Sequence, residues 1–196
     1  MPTSTSLPDV MDYLGRAVRD ALVAAELGVA TDPPTPPVLY HGPEPDDCCP
    51  PQGGAPRIVV WWTNLGRPQG RGGDCATPTQ VDVNVRYLCC WPNPPDGLIA
   101  NPADIVRLYD ADTRQLARVA WVGFQALSLA TGICTDGGRP AQRHNVAEGL
   151  GMASATVSQA RPRRPMGGCT GVDWTVTLVP TGAAVAQWME PLVVTP

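Results

Sequence analysis

The 196-residue sequence contains no lysine, and all 14 of its basic residues are arginines. This absence excludes the chemistries that need an ammonium group, which are those of P-loop, Schiff-base and kinase-type lysines. No run of about 20 apolar residues is present, so we expect no membrane-spanning segment. The chain does not open on a basic segment followed by an apolar stretch. We therefore expect no signal peptide and assembly in a cytoplasm.

Seven cysteines are present, an odd number that includes two vicinal pairs, at Cys48, Cys49, Cys75, Cys89, Cys90, Cys134 and Cys169. A secreted disulfide framework favours an even count. A zinc site favours CxxC-type spacing, because two adjacent thiolates rarely both reach one tetrahedral ion. We therefore expect reduced, partly buried thiols and no metal or cofactor. A disulfide or a metal site is the less favoured alternative, and the pattern leaves the redox state of the vicinal pairs open.

Two segments have the apolar periodicity of amphipathic helices. Residues 9–27 form the first, with Asp9 as the expected N-cap and Gly28 as the expected stop. The second begins at Asn101-Pro102 and extends to about Thr131, as one helix or as two. Its second half is apolar nearly all round, which predicts packing on a sheet on one side and on something else on the other.

The sequence pattern predicts four strands, at residues 57–64, 80–91, 152–160 and 172–179. The first two suggest an antiparallel hairpin. Residues 37–41 could add a short edge strand within a Pro/Cys-rich insert (31–56), and the Arg/Pro/Gly-rich residues 161–168 are expected to form a loop. The predicted fold class is α+β. A small mixed or antiparallel sheet of about four strands is packed by the N-terminal and long central helices. Residues 1–180 form a single domain, and residues 181–196 form a tail that docks on the body or on a neighbouring subunit.

Motifs that would indicate an enzyme lack their structural context. The segment 167–171 has the G-x-C-x-G form of a nucleophile elbow, but such an elbow needs a helix after it. The residues after Cys169 alternate as a strand does, so the glycines favour a hairpin loop. We expect no catalytic residue. A small cysteine hydrolase using Cys169 is the unfavoured alternative.

Charge is distributed unevenly along this chain of net charge −4. The first 50 residues hold eight acids and two arginines, whereas the remaining 146 hold ten acids and twelve arginines. Five of these twelve arginines lie between residues 139 and 164 and form a basic cluster. This cluster could meet phosphates or an acidic patch on another copy, and the net acidity of the chain favours the protein contact. The candidate interface residues are the basic Arg139, Arg143, Arg161, Arg163 and Arg164, the acidic Glu44, Asp46 and Asp47, and the apolar Trp188 and Met189.

The order of elements resembles that of the tail terminator proteins of lambda-like phages with long non-contractile tails. The resemblance rests on the N-terminal helix, the proline-marked entry into residues 56–60, the alternating strand 81–89, the Ala-rich helix 103–131, and a final strand pair joined by an Arg/Pro/Gly loop. It implies a homo-hexameric ring at the head–tail junction of a virion, which ends polymerisation of the tail tube.

Membership of that family would imply the tail tube protein and the head neck proteins as partners, with genomic DNA passing non-specifically through the channel and no membrane involved. The alternative is another neck or head-closure connector protein. The resemblance leaves open the ring stoichiometry and which face meets which partner.

Overall fold

The computed structural model describes residues 6–27, 36–40, 56–66, 80–90, 102–132, 151–158, 160–166 and 169–188. These residues form three helices and six strands. In chain order they are α1 (Leu7–Ala24), β1 (Val38–Tyr40), β2 (Arg57–Gly66), β3 (Gln80–Cys90), α2 (Pro102–Ala130), β4 (Met152–Val157), β5 (Arg161–Met166), β6 (Cys169–Pro180) and α3 (Gly182–Trp188).

The strands form one mixed sheet in the order β1-β2-β3-β6-β4, and β5 also pairs with β6. Only β1, which lies parallel to β2, departs from the antiparallel pairing of the other described strands. β4 and β5 occupy successive parts of the same edge of β6, with Val157 opposite Val176 and Arg161 opposite Asp173. The α+β class and the β2–β3 hairpin are confirmed, with six strands where about four were expected.

The prediction of a loop at 161–168 is wrong for Arg161–Met166, which pairs with β6. Pro162 and Pro165 have no N–H to donate to a neighbouring strand, which argued against a strand in the sequence. Within the described part of the chain, β5 has a strand on one side only. An edge position tolerates proline because its outer backbone groups need no strand partner.

Helix α1 begins earlier and ends earlier than its apolar pattern indicates. Ser6 is the N-cap, and it forms a capping box in which the Ser6 N–H donates to the carboxylate of Asp9 over 2.8 Å. The predicted cap, Asp9, is therefore the third helical residue, and its hydrogen bonds with Ser6 lower its pKa. At the other end Glu26 takes a left-handed conformation, with φ of +56°. The Leu27 N–H donates to the Leu22 carbonyl over 3.0 Å, so the helix closes before Gly28, which lies outside the described residues.

Both long helices pack on the same face of the sheet, where alternate strand residues form the core. α1 packs on β1, β2 and β3, and α2 packs on β6, β4 and β5. α2 is a single helix of 29 residues, which resolves the alternative left open above. It approaches β6 closely at Gly123, which lies against the ring of Trp174. The Trp174 Nε1–H donates to the carbonyl of Ala120 over 3.1 Å. The fully buried strand residues of this core include Val60, Val81, Val83, Val85, Tyr87, Val172, Trp174 and Val176.

The short helix α3 follows β6 and packs on the body. Thr181 caps it, since its carbonyl accepts from the Val185 N–H over 3.0 Å and its hydroxyl from the Ala184 N–H over 3.3 Å. Ala184 is buried, and Trp188 packs against the core cluster. The beginning of the tail therefore lies on its own chain.

Candidate functional site

The face of β2, β3 and β6 that points away from the helices carries a ladder of polar side chains, which we call the polar sheet face. Asp82 on β3 accepts from the hydroxyl of Thr177 on β6 over 2.7 Å and from the side-chain amide of Asn64 on β2 over 3.3 Å. One step along β3, Asn84 accepts from the Thr175 hydroxyl over 2.8 Å. These residues alternate with the buried valines of β3 and β6, so the period of two places them together on this face.

A partly buried ion pair continues the polar sheet face. Arg86, which is 1% exposed, donates from Nε to Oδ1 of Asp173 over 2.7 Å and from Nη2 to Oδ2 over 3.1 Å. Its guanidinium also lies 4.5 Å from the ring centroid of Trp61. Arg163 on β5 adds a longer contact of 3.6 Å to the same carboxylate. This bidentate, stacked arrangement ties β2, β3, β5 and β6 together and holds the Arg86 charge in the fold.

The polar sheet face is a rigid surface whose side chains are held in place by one another. Its carboxylates and amides accept hydrogen bonds from neighbouring strands, which fixes their rotamers. Across the described ranges, no group of three or more His, Cys, Asp or Glu residues is placed to hold a metal ion.

A second set of polar groups lies between the sheet and the helices. Tyr87 is fully buried, its hydroxyl donates to the carbonyl of Leu27 over 3.5 Å, and burial raises its pKa. The thiol of Cys89 donates to the carbonyl of Thr170 over 3.6 Å. Burial also raises the pKa of Asp112 on α2.

From Cys169 onward the backbone of the G-x-C-x-G segment is a strand, and Gly167 and Gly168 lie outside the described residues. Cys169 lies opposite Met166 of β5 and opposite Cys90 of β3. The strand that begins at Cys169 runs to Pro180, where an elbow would need a helix.

The structure brings only some of the predicted interface residues together. Arg161 and Arg163 lie on the edge strand β5, followed on the same strand by Arg164. Trp188 packs against its own core rather than standing free. The remaining predicted residues lie outside the described part of the chain, namely Glu44, Asp46, Asp47, Arg139, Arg143 and Met189.

The sequence predicted a second contact side for the apolar half of α2 without naming its residues, and we call this outward surface the outer α2 face. Trp121 is 62% exposed and Leu129 is 53% exposed. Arg118, one turn before Trp121, is exposed as well. Spacing supplied the signal, because Trp121 and Leu129 are separated by two turns and lie on the side opposite Val119 and Leu127.

The edge strand β1 exposes a second apolar pair. Val38 is 39% exposed and Tyr40 is 44% exposed. Each lies opposite a buried residue of β2, Val59 and Trp61 respectively, on the face away from the helices. An exposed aromatic residue beside an exposed valine on an edge strand is suited to a protein contact.

The sequence matches no protein-family model, and no curated protein is similar enough to be counted as a relative. Among the described helices, none has the length and apolar character needed to span a membrane. The surfaces described above are therefore the basis for a functional proposal.

Proposed function

We propose that this chain is a structural virion protein, a tail terminator that forms a homo-oligomeric ring at the head–tail junction of a long-tailed phage. In this role it ends polymerisation of the tail tube and joins the tail to the neck proteins of the head. The observation that carries the proposal is the outer α2 face, where Trp121 and Leu129 are exposed on a rigid 29-residue helix.

Exposed large apolar side chains at fixed positions on a helix are typical of a protein contact rather than of a reaction centre. Tryptophan is also the residue most enriched among those that dominate binding energy at interfaces. Trp121 is not needed to fill the core, because Trp174 and the buried valines do so. In a ring, the neighbouring subunit would cover this surface.

The polar sheet face also suits a connector protein. It presents carboxylate, amide and hydroxyl groups that already hydrogen-bond to one another, as in the contacts of Asp82 and Asn84. Such a surface has few hydrogen-bond donors left to bind phosphates, so DNA could slide past it. Another neck or head-closure connector would share these properties and differ only in its partners.

Mass photometry of the purified full-length protein tests the ring. We expect a discrete species of several copies of the 20.7 kDa chain, six in the hexameric case. Adding the protein to tail tube protein as it polymerises should shorten the tubes seen by electron microscopy. Binding to purified heads without an effect on tube length would favour the alternative connector.

Trp121→Ser and Val106→Ser form a matched pair for this experiment. Both residues are exposed apolar residues of α2, and they lie roughly 22 Å apart along the helix. We expect Trp121→Ser to reduce the fraction of protein in the oligomer and Val106→Ser to leave this fraction unchanged. A strictly monomeric wild-type protein, even with tail tubes present, would refute the ring.

A further inference from the structure

We propose that Cys90 and Cys169 are the site of a redox-sensitive bridge, a disulfide that joins β3 to β6 when the folded protein is oxidised and opens when it is reduced. The two cysteines are far apart in the sequence. They lie directly opposite each other in the antiparallel pairing of β3 with β6, and this juxtaposition carries the proposal. The bridge lies within one copy of the chain, so it goes beyond the proposed ring and does not depend on it.

The pair Cys90–Cys169 is of the non-hydrogen-bonded type. Farther along β6, the backbone of Thr175 is directed towards the β4 edge. Its carbonyl accepts from the N–H of Ser158, which follows β4, over 2.8 Å, and its own N–H donates to the Ser158 hydroxyl over 3.0 Å. The backbone groups of a strand alternate in direction, so those of Cys169 point to the same side as those of Thr175 and away from β3. The pairing of β3 with β6 continues to Cys90–Cys169 without a register shift.

A non-hydrogen-bonded pair has a geometry close to that of a disulfide. Its Cα atoms lie about 4.5 Å apart, which is within the range of about 4.4–6.8 Å found for disulfides. The Cβ atoms of directly opposite residues are about 4.5–5.5 Å apart and are closer in pairs of this type, whereas a disulfide spans about 3.5–4.5 Å between them. A small local adjustment of the two strands is therefore enough to join Cys90 to Cys169.

Cys89, the sequence neighbour of Cys90, is placed differently. It lies opposite Thr170, and its thiol donates to the Thr170 carbonyl. Successive residues of a strand lie on opposite faces of the sheet. Cys89 packs against the core beneath the helices, so Cys90 lies on the face away from them. Of the two cysteines at the end of β3, only Cys90 has a cysteine opposite it.

A small-molecule disulfide, here oxidised glutathione, is the oxidant. The thiolate of one cysteine attacks a glutathione sulfur, which forms a mixed disulfide and releases one glutathione. The thiolate of the other cysteine then attacks the protein sulfur of this mixed disulfide, which forms the bridge and releases the second glutathione. Two protein thiols together lose two electrons and two protons, which the two released glutathione thiols carry. Excess reduced glutathione reverses both steps.

The bridge fastens the strand pair at the centre of the sheet. β3 and β6 are the neighbours through which β1 and β2 are connected to β4 and β5. The bridge also closes residues 90–169 into a loop that contains α2, β4 and β5. Closing a long loop restricts the unfolded chain and stabilises the folded one. Both cysteines stay reduced in a reducing cytoplasm, whereas the bridge forms in an oxidising medium outside a cell.

Peptide mapping of the oxidised full-length protein tests the bridge. Trypsin cleaves only after arginine in this lysine-free chain, so Cys90 lies in the peptide 87–107 and Cys169 is the only cysteine of the peptide 164–196. The native protein is incubated with oxidised glutathione, and the remaining thiols are alkylated before digestion. We expect these two peptides to be linked, and the link to disappear on reduction. Cys89→Ser is the matched control and should keep the link, whereas Cys90→Ser and Cys169→Ser should each lose it.

Urea unfolding at fixed protein concentration gives a second readout. The midpoint of the oxidised wild type should exceed that of the reduced wild type by about 1–2 M, because the bridge closes a long loop. Cys169→Ser should have the same midpoint under both conditions. Circular dichroism checks that the variants fold, and the peptide map of the wild type tests the bridge even where a variant does not.

The outcomes that overturn the bridge are distinct from those that concern the ring. A link from 87–107 to any other peptide, a link that persists in Cys90→Ser, or glutathione adducts without a link would each overturn it. A link found only in dimers on a non-reducing gel would show bonding between copies and would overturn it as well. None of these results bears on the ring, which mass photometry of the reduced protein tests separately.

Discussion

Gly123 is a position where one added methyl group should be damaging. A Cβ there would lie 2.3 Å from Cζ2 of Trp174, whereas ordinary contact begins at 3.4 Å. The ring or the helix must therefore move by about 1 Å, although Trp174 is fully buried and hydrogen-bonded to Ala120. Overpacking of this kind costs about 1–3 kcal/mol, and loss of the hydrogen bond adds about 1 kcal/mol. The gain in helix propensity from glycine to alanine offsets about 1 kcal/mol.

We therefore expect Gly123→Ala to lower the free energy of unfolding by about 2 kcal/mol. In urea unfolding followed by circular dichroism at fixed protein concentration, the midpoint should fall by about 1 M. Gly182→Ala is the matched control, because no atom lies within 4 Å of its added Cβ. It should leave the midpoint unchanged or slightly raised. A Gly123→Ala midpoint at or above that of wild type would show that α2 does not press on Trp174 and would refute the packing described for this helix.

Two further changes probe the ion pair and the end of α1, each measured by denaturant unfolding. Asp173→Asn removes the carboxylate that pairs with the buried Arg86 and should lower the free energy of unfolding by about 2 kcal/mol. Asp110→Asn is the control, because it removes an exposed pair with Arg114 and should change the free energy of unfolding by less than about 0.5 kcal/mol. Equal effects would contradict the burial of Arg86. Glu26→Gly should raise stability by about 1 kcal/mol, because glycine adopts a positive φ without the steric cost that Glu26 bears. A loss of stability would contradict this.

Periodicity in the sequence predicted the elements that are long and lie in the centre of the fold. β3 and β6 alternate because one of their faces meets both helices and the other carries the polar ladder, so the period of two survives along the length of each strand. The stripe of α1, from Val10 to Leu22, similarly records a single buried side. In such elements, local pattern and tertiary burial specify the same structure.

The sequence was least informative at the ends and edges of elements. The proline- and arginine-rich segment 161–166 has weak strand propensity, and it becomes a strand because β6 offers an unpaired edge beside it. α1 ends at a glutamate in a left-handed conformation although a glycine follows two residues later. Backbone hydrogen bonds to the carbonyls of Leu22 and Val23 set the end of α1, and side-chain periodicity does not predict them.

Most of the candidate site depends on contacts between distant parts of the chain. Arg86 and Asp173 are 87 residues apart in the sequence. Their pairing follows only from the register of β3 against β6. The sequence predicted a second contact side for α2 but not its occupant, because the apolar pattern is the same whether that side is buried by its own chain or left for a partner. Only the exposed fraction of Trp121 distinguishes the two.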